Sequence, residues 1–283
     1  MTLKPVISKI SIYPVKSLDG IQLQKAEIGK GGCLLHDREY AIKDSDNRYV
    51  NGKKNPLVHL LRMNIDFESG VIFFRHETET NWHQFNLQAD KAKIDDYLSS
   101  FFNKPVALFK NTTGRFLDIP DKSGMTILST ASLQTVSHWF SDMNLEETRK
   151  RFRATLEITA VPSFWEDHLF FEEGTAIAFK IGNVHVLGMS PRARCVVPTR
   201  HPQNGEVIHG FQKSFADHRT ADLPSWGLQV TMMQNIIICP ILKHTTMCHA
   251  GNLFTCRVTD GYFLPAFRQG MHIIIYTVGI KWF

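Results

Sequence analysis

Short stretches in which every second residue is apolar constrain this chain most, because a period of two is typical of β-strands. Val6, Ser8, Ile10 and Ile12 alternate in this way and predict a strand with these four side chains on one face. A second strand begins at Ile21. Further strands are predicted at residues 39–43, 57–61, 71–74 and 155–160, and a hairpin at residues 176–188 that turns at Gly182-Asn183.

Two segments carry apolar residues at helical spacing instead. The first, residues 89–102, has an apolar stripe made of Ile94, Tyr97, Leu98 and Phe101. The second begins at Ser129 or Thr130, either of which is a good N-cap, and presents Leu133, Val136 and Phe140 on one side. The polar segment 111–124 contains Gly and Pro and separates two β-rich parts, residues 1–114 and 115–283.

Charge and cysteine usage narrow the class of protein. The formal net charge is +5, which suits an anionic ligand but is too small for a nucleic-acid-binding surface. Five widely spaced cysteines without a C-x-x-C pair indicate free thiols in a reducing compartment. No stretch reaches the roughly 18 apolar residues that a membrane helix needs, and no secretory leader is evident, so we expect a cytoplasmic protein without a membrane partner.

The segment around Cys195 is the most informative for chemistry. Cys195 follows a predicted strand and lies close to Arg192, Arg194 and Arg200. Neighbouring arginines favour the thiolate, which is the form of cysteine that attacks an electrophile or binds a soft metal. The ordinary alternative is a buried structural cysteine beside solvated arginines.

Three further clusters contain cations that suit an anion. They are Lys16-Ser17 at a turn, His36-Asp37-Arg38, and the four cations of residues 149–153. Their ordinary explanations are a common turn, a structural ion pair and a solvated helix end. His244, Cys248, His249 and Cys256 match no paired-ligand spacing, which argues against a zinc site.

Taken in order, these clusters resemble the MOSC family (molybdenum-cofactor sulfurase C-terminal domain), with the β-barrel domain that precedes it in the subgroup related to the mitochondrial amidoxime-reducing component. The resemblance runs from about Val6 to about Gln234. The matching stretches are Ile12-Tyr13-Pro14-Val15-Lys16-Ser17, Asp37-Arg38, Asp121-Lys122-Ser123, Leu128-Ser129-Thr130-Ala131-Ser132-Leu133, Arg151-Phe152-Arg153, and Arg194-Cys195-Val196-Val197-Pro198-Thr199-Arg200 followed by Pro202 and Gly205-Glu206.

The resemblance implies a mostly β fold with peripheral helices: a β-barrel-like N-terminal domain, residues 1–114, and a MOSC β-barrel, residues 115–283. It also implies a molybdenum cofactor, with Cys195 as the protein ligand to the metal and the catalytic residue. The implied cofactor contacts are Lys16, Ser17, Arg38, Asp121, Ser129, Arg153, Arg194 and Thr199. For the family as a whole, pyridoxal phosphate binding is a further expectation.

The activity that the resemblance implies is reduction of small N-hydroxylated or N-oxide substrates. Electrons would come from a separate reductase or from a haem, flavin or iron–sulfur protein, since this chain has no flavin motif and no iron–sulfur cysteine set. Two alternatives stay open. One is a carrier of the cofactor, or a sulfur-transfer protein with a persulfide on Cys195. The other is a protein that has lost the cofactor.

The sequence departs from the family pattern at three places. Arg192 stands where relatives often have a cysteine, and Ala154 and Thr155 replace the usual Pro and Asn after Arg153. The closing motif of the family, G-x-I-x-V-G-D, is absent after Gln234, and the divergent tail 235–283 resembles nothing further. The last strand of the barrel is therefore in question.

Overall fold

The computed structural model describes residues 5–29, 32–113, 115–118, 124–169, 175–182, 184–192, 195–222, 235–240, 246–249, 254–255 and 272–273. Side chains are not described at residues 175, 176, 190–192, 220–222 and within the strands beyond residue 234.

Strands predominate over helices in the described chain. The strands are β1 Val6–Ile12, β2 Ile21–Leu23, β3 Lys25–Ile28, β4 Tyr40–Asp44, β5 Leu61–Asp66, β6 Val71–His76, β7 His83–Asn86, β8 Val106–Lys110, β9 Met125–Ser129, β10 Leu156–Thr159, β11 Thr175–Ile181, β12 Val184–Arg192, β13 Asn235–Pro240, β14 Thr246–His249, β15 Phe254–Thr255 and β16 His272–Ile273. The helices are α1 Lys91–Phe102, α2 Thr130–His138, α3 Leu145–Phe152 and α4 Phe211–Asp222. The prediction of a mostly β protein with peripheral helices is confirmed.

One nine-stranded sheet forms the centre of the molecule. Its strand order is β15-β11-β12-β13-β9-β10-β1-β2, with β16 beside β11, and within the described residues this path does not close into a ring. β9 and β10 are parallel, and α2 and α3 connect them. Ile10, Ile127, Ile158 and Val186 are fully buried in the core of this sheet. Because β1 pairs with β10, the sheet crosses the predicted division at residues 114 and 115, which stays a prediction.

The divergent tail contributes a strand at the position where the last strand of the barrel was in question. β13 pairs antiparallel with β12 on one side and with β9 on the other, so that Ile237 lies opposite Ser190 and Thr126. The family's closing sequence motif is absent, but a strand nevertheless occupies this position. The sequence contains Ile236, Ile237 and Ile238 at this place, and β-branched residues favour strands.

Smaller sheets cover the N-terminal half. β4 pairs with β8, β5-β6-β7 form a three-stranded sheet, and β14 pairs with β3. Helix α1 packs Ile94 and Leu98 into the core that these strands share, as the helical spacing predicts, while Tyr97 and Phe101 are only partly buried and Phe102 is buried in addition.

Two predictions for this half are wrong in detail. Residues 57–61 do not form a strand. Pro56–Leu60 is a 3-10 helix, started by Pro56 and by the Asn55 side chain, which accepts a hydrogen bond from the amide of Leu57. In β1, a bulge between Ile7 and Lys9 shifts the alternation, so that Ile7 is buried while Val6 and Ser8 are not.

Candidate functional site

A cleft of about 900 Å³ opens where the two halves of the chain meet. It is lined by the segments that follow β1 and β3, by the 3-10 helix at residues 56–60, by α3, and by the turn that follows β12. Five of the predicted site residues line it together: Lys16, Ser17, Arg38, Arg153 and Cys195. They are far apart in sequence, so only the tertiary fold brings them to one place.

Cations dominate the wall of this cleft. The lining residues include eleven lysines and arginines against five aspartates and glutamates. Most of the buried arginines have a carboxylate partner. Arg62 lies 3.0 Å from both Asp19 and Glu77, and Arg149 binds Glu157 through Nε and Nη2 at 2.7 and 2.8 Å. The remaining positive charge suits an anionic ligand.

Lys16 and Ser17 lie at the tip of a tight turn. The amide of Leu18 donates to the carbonyl of Val15 at 3.1 Å, and Ser17 has a φ of 74°. This is the geometry of a type II turn, whose third residue must take a left-handed conformation. Lys16 is held by the carbonyl of Phe116 at 2.7 Å and by the carboxylate of Asp118.

Two arginines lie on one aromatic ring. The guanidinium carbon of Arg38 is 4.8 Å from the centroid of Tyr13, and that of Arg153 is 4.1 Å from the same centroid. Arg38 also pairs with Asp37, as expected for that cluster. Among the described residues Arg153 has no carboxylate partner, and burial, with the charge of Arg38 also contributing, lowers its pKa.

The Tyr13 ring is itself fixed. Its backbone amide donates to Oδ1 of Asp37 at 2.8 Å, and its hydroxyl donates to the carbonyl of Ala154 at 3.3 Å. A Cβ atom at Gly20 would lie 2.6 Å from the ring, so Gly20 allows the chain to pass close against it. Tyr13 therefore connects the segment of Arg38 with the segment of Arg153.

Strained backbone accompanies these residues. Ser17, Arg38 and Arg153 all have positive φ, at 74°, 50° and 54°, although none is glycine. Each such residue costs of order 1–3 kcal/mol, and residues of this kind concentrate at ligand sites. Arg153 is the left-handed C-cap of α3, which turns it away from the helix that precedes it.

Cys195 is exposed in the cleft, so the alternative of a buried structural cysteine is excluded. The turn that follows it is fixed by its own backbone, since the amides of Thr199 and Arg200 donate to the carbonyls of Val196 and Val197 at 3.0 Å. Arg151 anchors this turn from α3 by donating to the carbonyl of Pro198 at 2.8 Å. Arg151 is only 3% exposed, so solvation does not account for this cation of the 149–153 cluster, whereas Lys150 is exposed.

The other predicted residues lie elsewhere. Ser129 is fully buried and caps α2 by accepting from the amide of Ser132 at 3.0 Å. Thr199 is also buried and donates to the carbonyl of Val196 at 2.7 Å. Neither lines the cleft. Asp121 and Arg194 lie outside the described residues, as does the side chain of Arg192.

Among the cleft residues that stand in none of the predicted site clusters are His59 and Arg62. His59 belongs to residues 57–61, which were predicted as a strand, and Arg62 follows at the start of β5. Pro56 after Asn55 was the signal for a 3-10 helix that the alternation concealed.

Glu39, which follows Arg38 in the chain, is a buried carboxylate with three cationic partners. It accepts from His36 at 2.6 Å and from Arg115 at 3.1 Å, with Lys110 at 3.3 Å. Burial alone would raise its pKa, but the hydrogen bond from His36 and the charges of His36, Arg115 and Lys110 lower the pKa to about 2.

We therefore expect Glu39→Gln to lose stability at neutral pH and to lose much less in acid. A carboxylate with a lowered pKa stabilises the fold above its ordinary pKa of 4.5, and that contribution disappears as the pH falls towards 2. The shift corresponds to on the order of 3 kcal/mol. Thermal melting of both proteins between pH 7 and pH 3 measures it. A difference in melting temperature that stays constant below pH 4.5 would contradict the expectation.

Two kinds of site are not found in the part of the chain that the structure describes. No three His, Cys, Asp or Glu residues cluster as metal ligands would, and no helix is both long and apolar enough to cross a membrane. Of the four residues that were weighed as zinc ligands, His244 and Cys256 lie outside the described residues.

Comparison with known proteins gives a consistent set of relatives. The family model for the MOSC N-terminal beta barrel domain matches residues 4–144. Molybdenum cofactor sulfurase of Oryza sativa subsp. japonica is 30% identical over 95 residues, 34% of this chain and 11% of that protein. The human molybdenum cofactor sulfurase is 22% identical over 256 residues, 74% of this chain and 28% of that protein. Mitochondrial amidoxime reducing component 2 of Bos taurus is 25% identical over 244 residues, 71% of this chain and 68% of that protein.

The chain therefore spans less than a third of the length of these two sulfurases.

Proposed function

Because residues 4–144 belong to the MOSC N-terminal beta barrel domain family, we propose that this protein binds a molybdenum cofactor in the cleft and reduces N-hydroxylated or N-oxide substrates there. The observation that supports this most directly is that Lys16, Ser17, Arg38, Arg153 and Cys195 line one cleft.

The donor set in the cleft fits this cofactor. A molybdopterin presents a phosphate, which needs cations and hydrogen-bond donors, and a metal that takes a soft donor. Arg153 has no carboxylate partner among the described residues, and Arg38 is fixed beside it on Tyr13, so this pair suits the phosphate. Cys195 is exposed in the same cleft and would supply the sulfur. Lys16 and Ser17, together with Asp121 and Arg194, are the further contacts that we propose.

Atoms and electrons balance in the proposed reaction. Reduction of an N–OH group breaks the N–O bond, forms N–H, and consumes two electrons and two protons with release of water. When bound, the cofactor would supply the two-electron redox chemistry. The electrons would come from a separate reductase or from a haem, flavin or iron–sulfur protein. The residues of this chain hold the cofactor, and the cations of the cleft neutralise its phosphate.

Molybdenum and pterin content, with turnover of benzamidoxime by an artificial electron donor, test the proposal. The protein is purified from a host that makes the cofactor. We expect near-stoichiometric metal and pterin and many turnovers per molecule. Protein that binds neither group under these conditions contradicts the proposal.

Sulfur transfer or cofactor delivery is a second candidate function, since exposure of Cys195 would also allow it to carry a persulfide. The sulfurases among the relatives agree with this alternative. A carrier would bind pterin without multiple turnover. Sulfane sulfur on Cys195, detected by mass spectrometry, would identify the transfer function.

Removal of the Tyr13 ring should weaken anion binding at the Arg38–Arg153 pair. We expect Tyr13→Leu to bind inorganic phosphate about tenfold more weakly, since the two guanidiniums lose the ring that holds them in place, and a cation–π contact is worth ~0.5–2 kcal/mol. Tyr13→Phe keeps the ring and should bind within about twofold of the wild type on the same reasoning. Isothermal titration of each folded variant at low salt measures the effect.

Tyr97→Leu is the matched control, because its ring packs on Phe74 and Phe85 without an arginine. Gly20→Ala should act in the same direction as Tyr13→Leu, because the new methyl group would displace the ring. Equal affinities in Tyr13→Leu and Tyr13→Phe would show that the ring does not position the arginines.

A further inference from the structure

A second region of the cleft wall carries a cation besides the Arg38–Arg153 pair. This region consists of Arg200 and His59, which line the cleft beside the turn that carries Cys195. Arg200 follows that turn directly, since its amide donates to the carbonyl of Val197 at 3.0 Å.

Arg200 has hydrogen-bonding capacity that the protein does not use. Its Nη1 donates to the carbonyl of Gly205 at a long 3.3 Å, while its Nε is buried without a partner. Among the described residues it has no carboxylate within ion-pair distance, in contrast to Arg62, Arg149 and Arg151. Because the Nε atom is itself inaccessible, a ligand in the cleft would be bound by the terminal Nη atoms, whose partner among the described residues is the Gly205 carbonyl.

His59 lies in this region but adds no positive charge at neutral pH, because its pKa is lowered. Its ring is buried against the carbonyl of Gly52, with Nε2 at 3.3 Å. Burial lowers the pKa of His59, and the charges of Arg200, Arg153 and Arg62 lower it further, against the opposing effect of the Gly52 hydrogen bond. Arg200 and His59 line the same cleft as Arg38 and Arg153.

Glycines give this region its shape. A Cβ at Gly52 would lie 2.7 Å from Nε2 of His59, and one at Gly205 would lie 3.4 Å from the same ring. Gly205 also has a φ of 76°, which favours glycine. Two loops therefore close on His59 and hold the wall beside Arg200.

We propose that Arg200, with His59 beside it, binds a carboxylate group of the substrate. This inference rests on the proposed function and names its substrate class: N-hydroxylated compounds that also carry a carboxylate. The guanidinium is a planar double donor that matches a carboxylate, and it lies in the same cleft as Cys195.

The test compares two probes, benzamidoxime and 4-carboxybenzamidoxime, in the full chain with cofactor bound. Their dissociation constants are measured by titration without an electron donor, and their KM values with one. We expect tighter binding of the carboxylated probe by the wild type. Arg200→Gln should weaken that preference about 10- to 100-fold, the usual range for loss of a hydrogen-bonded charge pair. The preference of Arg200→Lys for the carboxylated probe should lie between that of the wild type and that of Arg200→Gln.

Arg48→Gln is the matched control, because it removes the same charge from a residue that is exposed and lies outside the cleft. It should leave the preference between the probes unchanged. Molybdenum and pterin content is measured in every variant. Loss of pterin from Arg200→Gln would assign Arg200 to the cofactor phosphate and overturn the inference.

The remaining outcomes separate the inference from the proposed function. Turnover of both probes with equal preference in wild type and Arg200→Gln overturns the inference and leaves the function standing. Binding of the carboxylated probe that depends on Arg200, without turnover, supports the anion site and contradicts the reductase. If Arg200→Gln does not fold, Arg200→Lys decides, since an unchanged preference in that variant overturns the bidentate contact.

Discussion

Cys195→Ser is expected to abolish reduction of benzamidoxime while leaving pterin largely bound. In the proposed site the cysteine sulfur is the one protein donor to the metal, whereas the phosphate is held by Arg38 and Arg153. A serine hydroxyl is a hard donor that stays protonated near neutral pH, and it does not replace a thiolate at a soft site. Turnover should fall by a factor of about 10³ or more, since the variant removes the ligand itself.

Molybdenum, pterin and initial rate are measured together on Cys195→Ser. Cys33→Ala is the matched control because Cys33 is a free cysteine that is buried outside the cleft. It should retain metal and rate, with some loss of stability from the cavity. Full activity of Cys195→Ser would remove Cys195 from the catalytic site. Loss of pterin as well as metal would mean that the thiolate, and not the arginines, retains the cofactor.

Gly188→Ala is expected to destabilise the central sheet severely. Gly188 lies in β12, and a Cβ there would be 1.7 Å from the carbonyl oxygen of Leu169. That contact is with backbone, so no side chain can rotate to relieve it. β12 must separate from the 3-10 helix Trp165–Leu169, or the backbone must bend near a β-bulge that already lies between Gly188 and Ser190. The cost should exceed about 3 kcal/mol, as severe overpacking does.

Gly29→Ala is the control for Gly188→Ala. A Cβ at Gly29 would meet its nearest atoms at 3.8 Å, which is ordinary van der Waals distance. We expect Gly29→Ala to melt within a few degrees of the wild type. Gly188→Ala should be insoluble or should melt much lower. Similar melting of the two variants would show that β12 and the 3-10 helix can move apart at little cost.

Local patterns were sufficient for elements that depend on neighbouring residues. The strand Val6–Ile12, helix α1 and the β11–β12 hairpin follow from alternation or helical spacing. Ser129 is the N-cap of α2, as its position before the apolar stripe predicts. The 3-10 helix Pro56–Leu60 was missed because apolar alternation and a short buried helix give the same pattern over five residues.

The site was predictable only in part, for a related reason. Lys16, Arg38, Arg153 and Cys195 stand in recognisable motifs, and they line one cleft. The roles of Tyr13 and Arg200 depend on contacts between segments that are distant in sequence. No local sequence pattern predicts that the guanidiniums of Arg38 and Arg153 both pack on the ring of Tyr13. Nor does one predict that Arg200 has no carboxylate partner among the described residues.

The pairing of the first strand has a consequence for how this protein is made. Val6 pairs with Thr159, so β1 emerges from the ribosome long before the strand that completes it. At ~5–20 residues per second the wait is roughly 8 to 30 s. During that time β1 has only the short β2 beside it and leaves one edge open, the state in which strands associate with other chains most readily. The yield of folded protein in a cell should therefore depend on protection of the nascent N-terminal half until β10 has been synthesised.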